Sequence, residues 1–306
     1  MHQFKGFSRG IFTTAAGMAA LLVSSFTLAQ EKPKVLEIGS SGTTAINASN
    51  VSEDAAIDTL KSFVKSETGF DNDIKKLKDW NDLCDKMAHG QYQLGEFQGY
   101  EFAWAQKKYP ELKPIAIALN GSRYLQIYLI VKKEDGAKDF AGLQGKILSL
   151  PHVSEGALRL YVDHLCQENG KLQKDFFSKI NTPDNTEDSL DDVVDGVVQA
   201  AVVDRVSVEA YRRRKPGRFA KLKEISHSEK LPPPVIAYVQ GKVDDATLKQ
   251  VEKGLLNANQ SERGQRLLQL FKLTGFEKPS PEYDQLLAES LKKYPPPAQS
   301  TPSGGR

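Results

Sequence analysis

The stretch 142–165 holds the residues whose types and spacing are best suited to chemistry. An apolar strand, Ile147 to Leu150, runs into Pro151 and His152, and Ser154 stands where a helix N-cap belongs. Gly156 leaves the first turn bare, while Leu158, Tyr161, Val162 and Leu165 supply an apolar helical face. A capped helix start with a missing side chain offers backbone N–H groups to a small acidic ligand. An ordinary strand–turn–helix unit is the alternative. Glu155 either faces such a ligand or simply occupies the first turn, where the macrodipole favours negative charge.

Four further groups could share that task. Ser40, Ser41 and Thr43 follow the first strand in a glycine-containing turn, where hydroxyls and N–H groups can hold an anion or merely close a flexible turn. Phe97 and Tyr100 could wall a ligand, with the Tyr100 hydroxyl as donor, or pack in the core. Arg123 beside Tyr124 could offer a guanidinium fork to a carboxylate or phosphate, or sit on an exposed strand edge. Asp204 could accept from a protonated oxyanion or cap the helix beginning near Arg205. No Ser/His/Asp or Cys/His arrangement and no metal-ligand spacing is visible, and the five His are scattered.

The elements that must position these residues alternate. Strands are expected at 34–38, 92–94, 114–119, 124–132, 147–150, 197–203 and 235–239. Helices are expected at 53–67, 80–88, 100–108, 156–169, 187–196, 205–214, 244–258, 261–273 and 281–293. Such alternation implies mostly parallel sheets flanked by helices. Two blocks and a return of the chain after residue 235 give two lobes, a two-segment crossover and a cleft at the strand ends.

Residues 1–29 carry Lys5 and Arg9, then a run from Ile11 to Leu28 that is apolar or small, ending in Thr27-Leu28-Ala29. The pattern is that of a secretory signal. Setting it aside takes the formal net charge from +2 to about zero, since it removes two bases and no acid. A neutral chain has no broad field for nucleic acid. The basic run Arg212 to Lys215, with Arg218 nearby, reads as a solvated helix end. Cys84 and Cys166 fall in separate helices and read as two buried thiols, with one disulfide as the alternative. Residues 295–306, rich in Pro, Ser and Gly, read as a disordered tail.

Four stretches in this order, 89–103, 121–132, 140–156 and 194–204, together with the Pro232–Tyr238 run and its paired helices, resemble the periplasmic solute-binding proteins of ABC importers. The likeness is to the phosphate, phosphite and phosphonate-binding group of the type II fold. It covers roughly residues 34–277. Gln199 stands where that family usually has Asp, and Val153 and Glu155 flank Ser154 where the family has small hydroxyl residues.

The resemblance implies an α/β, two-lobed type II periplasmic-binding-protein fold. Lobe 1 would comprise 30–119 plus 235–294 and lobe 2 would comprise 120–234, joined by two crossover segments. It implies an exported, non-catalytic receptor in the periplasm that closes by a hinge on a phosphonate-, phosphite- or phosphate-like oxyanion. A membrane permease would be its partner, with no cofactor, metal or nucleic acid. The alternatives are a sensing module that signals to a membrane kinase, and an enzyme on the same scaffold.

Overall fold

The computed structural model describes residues 35–41, 53–134, 137–152 and 155–297. Its strands are β1 (Val35–Ser40), β2 (Asp71–Lys76), β3 (Leu94–Phe97), β4 (Leu112–Leu119), β5 (Ile127–Lys132), β6 (Ile147–Ser149), β7 (Lys179–Asn181), β8 (Ala200–Asp204), β9 (Leu222–His227), β10 (Val235–Val239) and β11 (Gly275–Glu277). Its helices are α1 (Glu53–Thr68), α2 (Trp80–Ala88), α3 (Gly99–Lys108), α4 (Glu155–Glu168), α5 (Gln173–Phe176), α6 (Thr186–Asp195), α7 (Arg205–Arg214), α8 (Pro216–Phe219), α9 (Asp245–Leu256), α10 (Glu262–Leu270) and α11 (Pro281–Lys293).

Two mixed sheets result. The first runs β11-β4-β10-β3-β1-β2 and the second β7-β6-β8-β5-β9. In the first, β1 lies parallel to β2 and β3, while β10 is antiparallel to β3 and β4. In the second, β6 lies parallel to β7 and β8, while β5 is antiparallel to β8 and β9. Two parallel pairings in each sheet thus adjoin three antiparallel ones in the first and two in the second.

Helices cover both faces of each sheet, because alternating side chains leave apolar residues on both. Phe63 and Val64 of α1, Val251 and Leu255 of α9 and Leu267 of α10 pack on one face of the first sheet, against Leu36, Ile38 and Leu94. Leu83, Cys84 and Met87 of α2, Phe102 of α3 and Leu287 of α11 cover the other. On the second sheet, α4 packs against Leu129, Leu148 and Val202, while α6 and α7 pack against Ala201 and Val203.

Four short or polar strands depart from the expected pattern. β2, β7, β9 and β11 stand at sheet edges, where one neighbour suffices and the apolar demand is small. In β2 only Ile74 is buried. Its Asp73 is ion-paired to Lys61 and Lys75, and hydrogen bonds from those two ammonium groups hold its carboxyl down at about 2.

The sheets are tied at three places. Leu125 and Leu231 exchange backbone hydrogen bonds of 2.9 and 2.8 Å, which pairs the two crossover segments. The Trp104 indole N–H donates to the carbonyl of Tyr294 at 2.7 Å, and the Tyr294 hydroxyl donates to Glu229 at 2.9 Å. The third tie is the start of α3. A Cβ at Gly99 would come within 2.1 Å of the Pro232 carbonyl oxygen and 2.6 Å of that of Pro233. Only glycine lets the helix press against the returning crossover.

The basic run resolves as ion pairs. Arg214 and Lys215 bind Glu187, Lys215 and Arg218 bind Asp191, and Arg218 also binds Asp195. Both cysteines are free and buried, in cores on different sheets. Among the described residues no helix is long and apolar enough to cross a membrane.

Two outcomes follow from this packing. Gly99→Ala should cost about 1–3 kcal/mol by overpacking against backbone that cannot yield, visible as a Tm lower by several degrees. An unchanged Tm would mean that the crossover can move away freely. Burial pushes the Cys166 thiol up to about 12 and raises Cys84 as well. A thiol-specific reagent at pH 8 should therefore leave both unmodified in the native protein and label both after unfolding, since the thiolate is the reactive form. Rapid native labelling at either position would show that its helix opens readily.

Candidate functional site

One face of β1 and β3 turns polar towards the carboxyl ends of the strands. Leu36, Ile38 and Ser40 share one face of β1 because side chains alternate along a strand. The register sets Ile38 beside Leu94 and Ser40 beside Glu96. An apolar pair thus gives way, two residues on, to a hydroxyl–carboxylate pair, and the Ser40 hydroxyl donates to Glu96 at 3.0 Å. On the opposite face the Ser41 hydroxyl donates to the buried carboxylate of Glu101 at 2.6 Å, in the first turn of α3.

From the second sheet, β8 ends at Asp204. Its carboxylate accepts the Ser207 N–H at 2.9 Å and the Ser207 hydroxyl at 2.6 Å, which is an N-cap for α7. Arg205 follows. Its backbone N–H donates to the carbonyl of Gln126 at 2.8 Å, which seats the start of α7 on the outgoing crossover. Its guanidinium carbon lies 5.2 Å from the centre of the Tyr124 ring, and the Lys230 ammonium lies 4.5 Å from the same ring. Two cations thus flank one aromatic ring where the crossovers meet, each favoured by its quadrupole. The Nε of Arg205 is buried and has no hydrogen-bond partner among the described residues.

These pieces open on one cavity of about 220 Å³. Ser40, Glu96 and Gln98 line it from the first sheet, Asp204 and Arg205 from the second, and Tyr124 and Gln126 from the crossover. Its charged lining, among the described residues, is Glu67, Glu96, Asp204 and Arg205. From this polar mouth the cavity runs between the first sheet and α1, α9 and α10 along Leu36, Phe63, Val251 and Leu255.

Of the residues singled out in the sequence, Ser40, Tyr124 and Asp204 meet at this cavity. Ser41 lies just beyond it on Glu101. Phe97 is fully buried against Phe102, with ring centres 6.1 Å apart, and Tyr100 is buried against Trp104 at 5.1 Å. Arg123 points outward, its guanidinium paired with Glu277 at 2.7 Å. His152 is exposed at the end of β6, where its backbone N–H donates to the carbonyl of Pro183 at 3.0 Å, and Gly156 is half-buried in the first turn of α4. Thr43 and Ser154 lie outside the described residues, and of Glu155 only the backbone, at the start of α4, is described. Gln199 is turned away from the mouth: its side-chain carbonyl accepts the Ile147 N–H at 3.1 Å and aligns β6 with β8.

Arg205 escaped the reading of the sequence, although a local conflict marks it. A cation in the first turn of a helix opposes the macrodipole, and the three carboxylates along α6 that neutralise other arginines do not reach it. Such conflicts between local preference and fold collect at functional positions.

The sequence profile of a family described as the periplasmic substrate-binding protein of phosphonate ABC transporters matches residues 45–283. No curated protein sequence matches the chain. Among solved structures, XAC2383 of Xanthomonas citri bound to chloride superposes with a TM-score of 0.63 at 15% identity, over 86% of this chain and 98% of that one. PhnD1 of Prochlorococcus marinus in complex with methylphosphonate gives 0.59 at 14% identity, over 86% and 98%. A binding-protein component of an ABC phosphonate transporter from Pseudomonas aeruginosa gives 0.55 at 13%, over 86% and 88%. These three likenesses concern the fold, two mixed sheets flanked by helices in the type II arrangement. The family is one of solute receptors and not of enzymes, and its members work in the periplasm. With most of its length matched by one profile, the chain belongs to the phosphonate-type periplasmic substrate-binding proteins of ABC transporters.

Proposed function

We propose that this protein holds a phosphonate-, phosphite- or phosphate-like oxyanion at the polar mouth of the cavity and delivers it to a membrane permease. Residues 1–29 carry the export signal in this reading. Residues 30–119 with 235–294 form one lobe and residues 120–234 the other. The ligand bridges them and favours the closed arrangement, in which groups from both sheets contact it together.

The observation that carries this reading is the guanidinium of Arg205. A buried charged donor with no partner is costly, and a planar fork of N–H groups matches a phosphonate or phosphate edge. A ligand oxygen would reach Nε only once closure shifts the side chain, since the atom is covered in this structure. The Ser40 hydroxyl and the side-chain amides of Gln98 and Gln126 also line the mouth and are neutral hydrogen-bonding groups. Both oxygens of Asp204 are engaged by Ser207, which turns its lone pairs towards α7 but leaves its negative charge in the lining. Glu96, Asp204 and, farther in, Glu67 are opposing charges, and Glu96 stands beside Ser40 at the mouth. Its carboxylate weakens binding most for a dianion, so the mouth discriminates against full negative charge.

A thermal-shift screen of methylphosphonate, phosphite, phosphate and small sulfonates tests the proposal. A ligand present at a hundred times its dissociation constant should add about 2.7 kcal/mol of stability. Arg205→Ala should then weaken that ligand by about tenfold to a hundredfold, the worth of one charge-assisted contact. Arg205→Lys should recover only part of the loss, because the fork is gone. Unaltered affinity in Arg205→Ala would remove this residue from the site.

The carboxylate at the mouth gives a separate outcome. Glu96→Gln should tighten phosphate more than methylphosphonate, measured by calorimetry above pH 7, where phosphate carries the larger mean charge. Equal affinities before and after the change would mean that the Glu96 charge does not act on the ligand.

A further inference from the structure

The cavity does not end at its polar mouth, and this decides what kind of oxyanion it fits. Beyond Ser40 and Glu96 the same face of the first sheet continues as Ile38, Leu36 and Leu94, roofed by Phe63 of α1 and Val251 and Leu255 of α9, with Glu67 and Thr68 from the last turn of α1 as its polar lining. The register that sets Ser40 beside Glu96 sets Ile38 beside Leu94, so polar mouth and apolar chamber lie one strand pleat apart. A phosphate ion would fill only the mouth. The chamber would then be an apolar void, and a void without partner atoms forfeits the dispersion contacts of its lining.

We propose that the ligand is an oxyanion carrying an apolar substituent of several carbons, an organophosphonate or phosphate monoester whose headgroup meets Arg205 and whose tail enters the chamber under α1 and α9. This rests on the anion reading above and adds the class of substituent. A cavity of about 150 Å³ lined by leucine, isoleucine and phenylalanine takes up a six-carbon ring. The 220 Å³ here, shared between mouth and chamber, suits a six-carbon chain with its headgroup at Arg205. The direction of the tail follows from the strand: the headgroup is held at the carboxyl end of β1, and the apolar residues run back along it towards Leu36.

Calorimetric titration of the purified protein with phosphate, methylphosphonate and n-hexylphosphonate tests it. Each methylene that enters the chamber should tighten binding about threefold to fourfold. With three or more of its five additional carbons inside the chamber, hexylphosphonate should therefore bind at least about thirtyfold more tightly than methylphosphonate, with a more negative heat-capacity change. Val251→Phe and Ala118→Leu, which fill the chamber and its rim, should each collapse the ratio of hexyl to methyl affinity towards one.

The outcomes separate the two ideas. Equal affinity for methyl- and hexylphosphonate overturns the chamber and leaves the oxyanion reading standing. Binding of none of the three overturns the oxyanion reading, and the chamber falls with it. A hexyl preference that survives in both folded variants places the tail elsewhere and overturns the proposal. The chain-length series on the unaltered protein decides the matter if either variant does not fold.

Discussion

Leu125 and Leu231 meet where the chain leaves one sheet and where it comes back, and they exchange a backbone hydrogen bond in each direction. This short pairing governs the functional geometry. Tyr124 and Lys230, the neighbours of the paired leucines, are brought into contact by it. Gln126, on the other side of Leu125, offers its carbonyl to Arg205 and its side-chain amide to the Ser228 carbonyl. The Ser228 hydroxyl in turn accepts the Ile127 N–H. The start of α7, and with it the guanidinium, is therefore located by the crossover as much as by its own sheet. Pro232, Pro233 and Pro234 have no N–H to extend the pairing. The bridge stays local until β10 begins at Val235.

The joint is not the whole connection. Tyr100, Trp104 and Tyr294 are buried with residues of the second sheet in one apolar cluster, although α3 and α11 cover the first. Tyr294 binds Trp104 through its carbonyl and Glu229 through its hydroxyl, and its ring stands 5.1 Å from that of His164. Closure about the crossover must slide or repack this contact, since packed apolar side chains do not deform continuously. The residues that set the ease of closure therefore include aromatic ones far from the ligand.

The sequence carried the alternation of strands and helices legibly wherever strands are buried on both sides. Ile147 to Ser149, Ala200 to Asp204 and Val235 to Val239 are short apolar runs between helical patterns, and they lie inside their sheets. The edge strands were hidden, because Asp71 to Lys76 and Gly275 to Glu277 need bury little and so show no pattern. The residues lining the cavity, and those expected there, divide in the same way. Ser40 and Asp204 were legible as polar residues closing apolar strands. Phe97 and Tyr100 have the chemistry of a ligand wall but lie in apolar clusters, which only the direction of each side chain could reveal. Arg205 was hidden by its neighbour. Asp204 accounts for the helix start by itself, and the cation after it meets Tyr124 only through the fold.

Charge and apolarity in the cavity bear on one another. Glu96 stands next to apolar residues, where an isolated carboxylate would be expensive, and the Ser40 hydroxyl at 3.0 Å offsets part of that cost. Asp204 gives both oxygens to Ser207, so its charge is spread into the start of α7. Among these charged groups Arg205 is the one with a buried N–H, at Nε, that has no hydrogen-bond partner among the described residues. A headgroup that meets it gains an ionic hydrogen bond in a partly dry place, where such bonds are stronger than in water. The same dryness penalises a fully charged, strongly hydrated ion that must give up its water on every side. A ligand with one anionic end and one apolar end surrenders water only where the protein replaces it, at Arg205, and gains by leaving water elsewhere. The gradient along β1 and β3, from Leu36 and Leu94 to Ser40 and Glu96, is the arrangement that rewards such a molecule over phosphate itself.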